Sequence, residues 1–418
     1  MRILFVAMAY SVHTARYIDQ IADQGWDLHL VCSRDSGRVH PLLRGVTVHH
    51  SAYHVDAHHP DFNPHVKQRG VLGFNVPLLN HRLHRPLDIL ARGIRRALRT
   101  YRPTYQVANL ARLIRDLRPD FIHALEFQAA GYLTLEARDH LLAQGDDFPV
   151  FIATNWGSDL YYFRHLDEHK ARITRLLEAI DIYDCECERD IDLAHELGLK
   201  TSHTWTPTPN AGGFDFDRLA RLRSPRSPSA RKIIMLKGYQ TRFGRALFAL
   251  RAIRQCEDAI RAGGYRVVIF GTMPDVDLAA QVLRDQTGLD IEILPPDLPH
   301  TDILHWFGQA RTSIGVSMSD AASISMLEAM VMGAFPIQSY TACADEWFTH
   351  GETGLIVDPE DPNDIEAALR RAITDDALVN AAAEHNLATA RARLDREQIK
   401  RIIIDQYKHA YAALKPSR

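Results

Sequence analysis

Residues 312–337 read TSIGVSMSDAASISMLEAMVMGAFPI. A short strand-like run, Thr312–Val316, leads into a loop of small residues, a stretch of helix length and a second short run at Pro336–Gln338. Strands that are continuous in apolar character and are joined by helices are what a parallel sheet buried on both faces requires. The same alternation recurs outward from this unit. Ile3–Ala7, Leu28–Cys32, Phe121–Ala124 and Val150–Thr154 carry it in the first half, and Ile233–Leu236, Val267–Phe270 and Ile291–Leu294 in the second. The expected fold class is therefore α/β, with two doubly wound parallel sheets.

The 418 residues suffice for two or three domains. TWTPTPNAGG and RLRSPRSPSARK, between residues 205 and 231, concentrate Pro, Ser, Gly and Arg between two strand-rich halves. The division expected is 1–207, 208–395 and a C-terminal segment, 396–418. In that segment Ile399, Ile403, Tyr407, Tyr411 and Leu414 fall on one face of a helix. A helix with such a face must pack on something, and the first domain is the expected support.

A hydrophobic content of 46% excludes disorder, and a net charge of −3 supplies no global field for nucleic acid. Five scattered cysteines argue for a reducing compartment, with Cys185-Glu-Cys187 read as buried thiols. MRILFVAMAYSVH at the N-terminus reads as a first strand, not as a leader or a membrane span, so the expected location is cytoplasmic. Six histidines (49, 50, 54, 58, 59, 65) fit no ligand spacing and read as a solvated loop. Arg82–Arg118 holds ten arginines against two acids. Two readings stand for it: a basic amphipathic face for an anionic membrane or phosphate-bearing partner, with peripheral contact at the inner face of the membrane, or a solvated face.

The residues with most chemical content are Asp320 and Glu328. Asp320 falls at the carboxyl end of the strand Thr312–Val316, where open α/β sheets place their ligands. The loop that includes Ala322, Ser323, Ile324 and Ser325 has small side chains, so its backbone N–H groups and the helix start are available to an anion. A carboxylate such as Glu328 beside that anion suits a ribose diol, not a phosphate. The competing reading is a capping box, Ser325-Met-Leu-Glu328, and the residues alone leave both open.

Asp320-x7-Glu328 followed by Ala329, Met330, Gly333 and Pro336 resembles the donor-site motif of the retaining glycosyltransferases usually called family 4. GETGLIVDPEDPNDIEAAL (Gly351–Leu369), TPTPNAGGFD (Thr206–Asp215) and LRPDFIHAL (Leu117–Leu125) resemble other stretches of that family in the same order. The resemblance implies the GT-B fold, two facing Rossmann-like domains, and transfer of a sugar from a nucleoside-diphosphate sugar to an acceptor that is a saccharide, lipid-linked or a small molecule. It implies no required metal or other cofactor. The D-x-D triplets at Asp190, Asp215 and Asp275 read instead as helix-start residues.

By resemblance, Glu328 takes the ribose and Asp320 the donor sugar, although the family has Glu in place of Asp320. Lys237, Arg242 and Arg245 are the cations for the diphosphate, with Tyr239 where the family has Arg. Gly271 keeps the backbone open beside the nucleotide or is a plain turn glycine, and His300, in the stretch where the family wraps the base, has two readings, a contact to that base and the preferred one of a solvent-facing loop residue. In the first domain, TNWGSDLYY (Thr154–Tyr162) matches at Gly157 and Asp159, but Trp156 stands where a His is common and is free to stack on a sugar face. His13, at a strand-to-helix turn, has two readings, a contact to the acceptor or the donor phosphate and an exposed cap neighbour, and Glu126, after the strand Phe121–Ala124, joins the acceptor-side set by the carboxyl-end rule. The alternatives are an epimerase or phosphorylase of the same architecture and a non-catalytic nucleotide-sugar-binding assembly protein.

Overall fold

The structure, a computed structural model, describes residues 1–34, 37–50, 62–70, 105–210 and 212–414. The chain divides into two compact units, Met1–Gly212 with Lys400–Arg418, and Gly213–Ile399. Among the described residues the first unit holds seven strands: β1 (Arg2–Ala7), β2 (Asp27–Cys32), β3 (Thr47–His50), β4 (Lys67–Gly70), β5 (Phe121–Leu125), β6 (Val150–Thr154) and β7 (Ile182–Asp184). They lie in the order β4-β3-β2-β1-β5-β6-β7, every pair parallel. The second unit holds β8 (Ile233–Lys237), β9 (Arg266–Phe270), β10 (Ile291–Ile293), β11 (Ala310–Gly315), β12 (Phe335–Ser339) and β13 (Leu355–Val357), ordered β10-β9-β8-β11-β12-β13, again all parallel. Both sheets are the doubly wound α/β arrangement that the strand patterns imply.

Four strands, β3, β4, β7 and β13, lack a sequence signal because they have only three or four residues or are polar. The histidine-rich stretch is corrected at its start. His49 and His50 are buried strand residues of β3; His49 meets His29 of β2 at 2.9 Å and His50 meets Gln68 of β4 at 2.9 Å. His54, His58 and His59 lie outside the described residues, as do residues 82–104 of the arginine-rich segment. Its described part is the helix Tyr105–Leu117, whose Arg115 pairs with Asp146. All five cysteines are buried free thiols. No helix among the described residues is long and apolar enough to cross a membrane.

In the second unit the helix Ile324–Met332 is buried from Met326 onward. It ends at Gly333, whose φ of 78° is a left-handed conformation that glycine adopts without strain. Its last carbonyls are capped by arginines: Arg231 donates to Met332 O at 3.1 Å and Arg223 to Val331 O at 2.5 Å, and Arg231 also donates to Ala310 O at the start of β11 at 3.2 Å. Burial pulls Arg231 down to about 10, so it stays charged against those carbonyls.

The helix Arg396–Leu414 supplies residues 400–414 to the first unit. Tyr407, fully buried, packs against Trp26, Phe121 and Trp205, and its hydroxyl donates to His123 Nδ1 at 2.6 Å. His123 Nε2 meets Thr154 Oγ1 at 2.6 Å, and Thr154 donates to Asp184 Oδ2 at 2.8 Å. The bonds thus run one way, from Tyr407 on the helix through neutral His123 on β5 and Thr154 on β6 to Asp184 on β7. Burial lowers His123 to about 3 and raises Asp184 to about 7.

The two shifts oppose each other in pH. A lowered histidine loses its stabilising contribution as pH falls from about 6.5 towards 3. A raised aspartate contributes fully below about 4 and loses that contribution as pH rises towards 7. Between pH 4.5 and 6.5 the slopes nearly cancel. Asp184→Asn is expected to unmask the histidine, making denaturant-measured stability fall on acidification more steeply than wild type by about 1 kcal/mol per pH unit. Parallel wild-type and variant curves would refute this. Tyr407→Phe, which removes the donor to His123, is expected to cost about 1–3 kcal/mol in the same measurement.

Candidate functional site

The site in the second unit is built from loops at the carboxyl ends of three neighbouring strands, β8, β11 and β12. The loops are knitted by backbone bonds: Arg245 N donates to Val316 O at 3.0 Å, Met318 N to Phe243 O at 2.7 Å and Asp320 N to Thr341 O at 3.2 Å. Ser317 N donates to Ser339 Oγ at 3.1 Å, and Thr341 Oγ1 donates to Ser317 O. Gly244 pairs with Ser317 in an isolated bridge and passes so close to Tyr239 that a Cβ there would lie 2.2 Å from Tyr239 O. Within this rigid surround the Ser317 and Ser319 hydroxyls are buried without a hydrogen-bond partner. Buried hydroxyls left this way are costly and mark places that a ligand or water completes.

The helix Ile324–Met332 begins here. Ser323 is its N-cap residue and makes no side-chain capping bond; its hydroxyl meets Ser325 Oγ at 3.3 Å instead. Ser325 lies inside the first turn, and Glu328 bonds elsewhere, so the capping-box reading is overturned. The result is a helix start without a side-chain cap, beside Ala321, Ala322 and Ser323, all nearly fully buried. Glu328 is the one charged residue in an otherwise apolar helix, 4% exposed, and His300 Nε2 donates to its Oε1 at 2.5 Å. A carboxylate buried at this depth needs a donor. The expectation of a purely solvent-facing His300 is corrected accordingly: its side chain is 45% exposed, and it ties the helix His300–Gln309 to Glu328. The proximity of these two residues is long-range in sequence and had no local signal.

Lys237 ends β8 with its ammonium 3.7 Å from Asp320 Oδ2 and 4.8 Å from the centre of the Tyr239 ring. Tyr239 lies over Gly271, where φ is 61° and a Cβ would come within 2.8 Å of the ring. Gly271 is therefore required by both the turn and Tyr239. Arg242 is exposed in the loop. Arg245, expected to face a diphosphate, is committed instead: its guanidinium donates to Glu360 at 2.8 Å and to the carbonyls of Gly244 and Arg242. It holds the loop in shape.

In the first unit, residues following β1, β5 and β6 come together at adjacent strand ends. His13 lies in the first turn of the helix Val12–Asp19, its ring centre 5.6 Å from that of Trp156. Glu126 adopts φ 82°, ψ 151°, a conformation costly for a side-chain-bearing residue, and its carboxylate accepts from Ala129 N at 2.9 Å and Ala130 N at 2.7 Å. Asp159 Oδ2 accepts from Phe127 N and Trp156 N, both at 2.9 Å, stitching the β5 loop to the β6 loop just after Gly157. Burial pushes both carboxyls up, Asp159 further because the Glu126 charge adds to it. The indole N–H of Trp156 and Oδ1 of Asn155 are buried without partners. Of the triplet acids, Asp215 caps the helix Phe216–Leu222 through Arg218 N at 2.9 Å, and Asp275 lies in the first turn of Pro274–Thr287. Asp190 is buried between Arg189 and Asn155.

Comparison with known proteins bears on both units. Residues 231–375 match a family model described as glycosyl transferases group 1, and residues 2–58 match one described as glycosyl transferase 4-like. No curated protein sequence matches the chain. Among solved structures, a sucrose-phosphate synthase from Thermosynechococcus elongatus is similar with a TM-score of 0.67 at 14% identity, covering 99% of this chain and 100% of its own. HepE from Anabaena, solved with UDP and glucose, has a TM-score of 0.65 at 14% identity, covering 98% and 100%. A trehalose 6-phosphate synthase from Burkholderia multivorans gives 0.65 at 14%, covering 99% of each chain. Taken together, a glycosyltransferase family model matches a stretch of each unit, and the fold along nearly the whole chain is the GT-B arrangement of two Rossmann-like domains.

Proposed function

We propose that the protein is a retaining glycosyltransferase that moves a sugar from a nucleoside-diphosphate sugar to an acceptor hydroxyl, using no metal or other cofactor. The observation that carries the reading is the start of the helix Ile324–Met332. It offers N–H groups without a side-chain cap beside two orphaned serine hydroxyls, with a buried carboxylate one turn further on. A diphosphate suits the N–H groups and the helix dipole. A ribose diol suits Glu328.

Lys237 and Arg242 are the cations for the leaving diphosphate, and Asp320, held beside Lys237, is assigned to the donor sugar. Acceptor recognition is assigned to the first unit, with Trp156 and His13 as its aromatic surface and Glu126, Gly157 and Asp159 shaping the backbone beneath them. Rate enhancement comes from stabilising charge on the departing nucleotide and from holding the acceptor on the face the nucleotide leaves, with no protein nucleophile. HepE, solved with UDP, makes UDP a natural first probe beside GDP and ADP.

Glu328→Gln is expected to weaken nucleoside-diphosphate binding about tenfold, the loss of hydrogen bonds to a charged acceptor, with an unchanged ligand-free melting temperature. Calorimetric titration giving wild-type affinity would remove the ribose assignment. Lys237→Ala is expected to lower kcat for donor turnover about 10²–10³-fold, the usual cost of one group stabilising a developing anion. Arg245→Ala, which loses a loop brace turned towards Glu360, is expected to lower it less than about tenfold. The reverse ranking would transfer the diphosphate role to Arg245.

A further inference from the structure

We propose that His300 is a positioning residue for nucleotide selection. It holds Oε1 of Glu328 so that the carboxylate is presented in one orientation to the ribose hydroxyls, and it thereby sets the preference for ribose over deoxyribose. The inference rests on the nucleotide-sugar reading above and adds to it a residue outside the motif. Glu328 is flanked by Met326, Leu327, Ala329 and Met330, none of whose side chains can donate a hydrogen bond. Its hydrogen-bond partner among the described residues is His300 Nε2, at 2.5 Å. A carboxylate has two oxygens and about four acceptor directions, so one imidazole N–H leaves capacity for both hydroxyls of a diol while removing the freedom to turn away from them.

The imidazole is itself held from outside. His300 opens its helix directly after Pro299, and Pro295 and Pro296 precede it, each with a fixed φ. The next residue, Thr301, accepts from Arg218 at 2.8 Å, which pins the start of that helix to the helix Phe216–Leu222. A surface histidine that merely meets an acid has no need of such support and meets an exposed partner; here the partner is 4% exposed and the histidine half exposed.

The test is a calorimetric series on the full-length protein with UDP, GDP and ADP, each beside its 2′-deoxy form, for wild type, His300→Ala, His300→Gln and Glu328→Gln, with melting temperatures as a folding control. For the base that binds, wild type is expected to favour the ribose form by at least about tenfold. His300→Ala should reduce that ratio to about threefold or less while leaving affinity for the deoxy form within about twofold. His300→Gln, which restores an N–H donor, should recover part of the ratio. In turnover, His300→Ala should raise donor KM with kcat within a few-fold of wild type. An unchanged ribose ratio in His300→Ala overturns the proposal, as does tighter ribonucleotide binding, which would make His300 a competitor of the ribose. If Glu328→Gln keeps the full ratio, the ribose role of Glu328 fails; if no nucleotide binds wild type, the nucleotide-sugar reading fails. Each failure is separate from the other.

Discussion

The chain depends on one constraint, that every recorded strand pair is parallel. A parallel strand can reach its neighbour only through a crossover, so all the strands of a sheet end at the same edge and their following loops crowd there. Where the winding reverses, between β8 and β11 in the second unit and between β1 and β5 in the first, adjacent loops diverge and leave room. The knitted loops that carry Lys237, Asp320 and the start of the helix Ile324–Met332 sit at one such reversal. His13 and Glu126 sit at the other, with Trp156 on the next strand along.

How much of this was legible follows from distance along the chain. Strand runs such as Val150–Thr154 match the observed strand end to end, because burial on both faces writes itself into every residue. Asp320 and Glu328 were legible because their spacing is local and resembles a family motif. The pairing of Glu328 with His300 was not, since 28 residues separate them and neither reveals the other. The pairing of Arg245 was not legible for the same reason: its partner, Glu360, lies 115 residues away. The histidines at 49 and 50 were misread because a polar composition argues for solvent, whereas pairing with His29 and Gln68 lets them lie in a sheet.

The two units handle buried charge differently. In the second, Glu328 is paired with a half-exposed imidazole, and the loop that leads to its helix carries orphaned serine hydroxyls, an arrangement open to a ligand. In the first, Asp184 and His123 are enclosed with Thr154, Tyr17 and Tyr407 in one continuous chain of bonds. Satisfied networks of this kind rigidify and specify a core, whereas partly satisfied ones are where binding occurs. Glu126 and Asp159 fall between the two. Their oxygens hold backbone N–H groups, yet Trp156 beside them keeps an unpartnered indole N–H.

The long return of the chain also has a consequence for how the protein is made. Tyr407, which fills the space between Trp26, Phe121 and Trp205 and gives His123 its donor, is synthesised more than 200 residues after Asp184, the end of the last strand of the sheet it completes. A nascent first unit therefore leaves the ribosome with its aromatic core open and His123 without that donor. The Gly213–Ile399 unit is contiguous and lies between the two parts of the first, so the first unit cannot complete its core before the whole of the second has been synthesised.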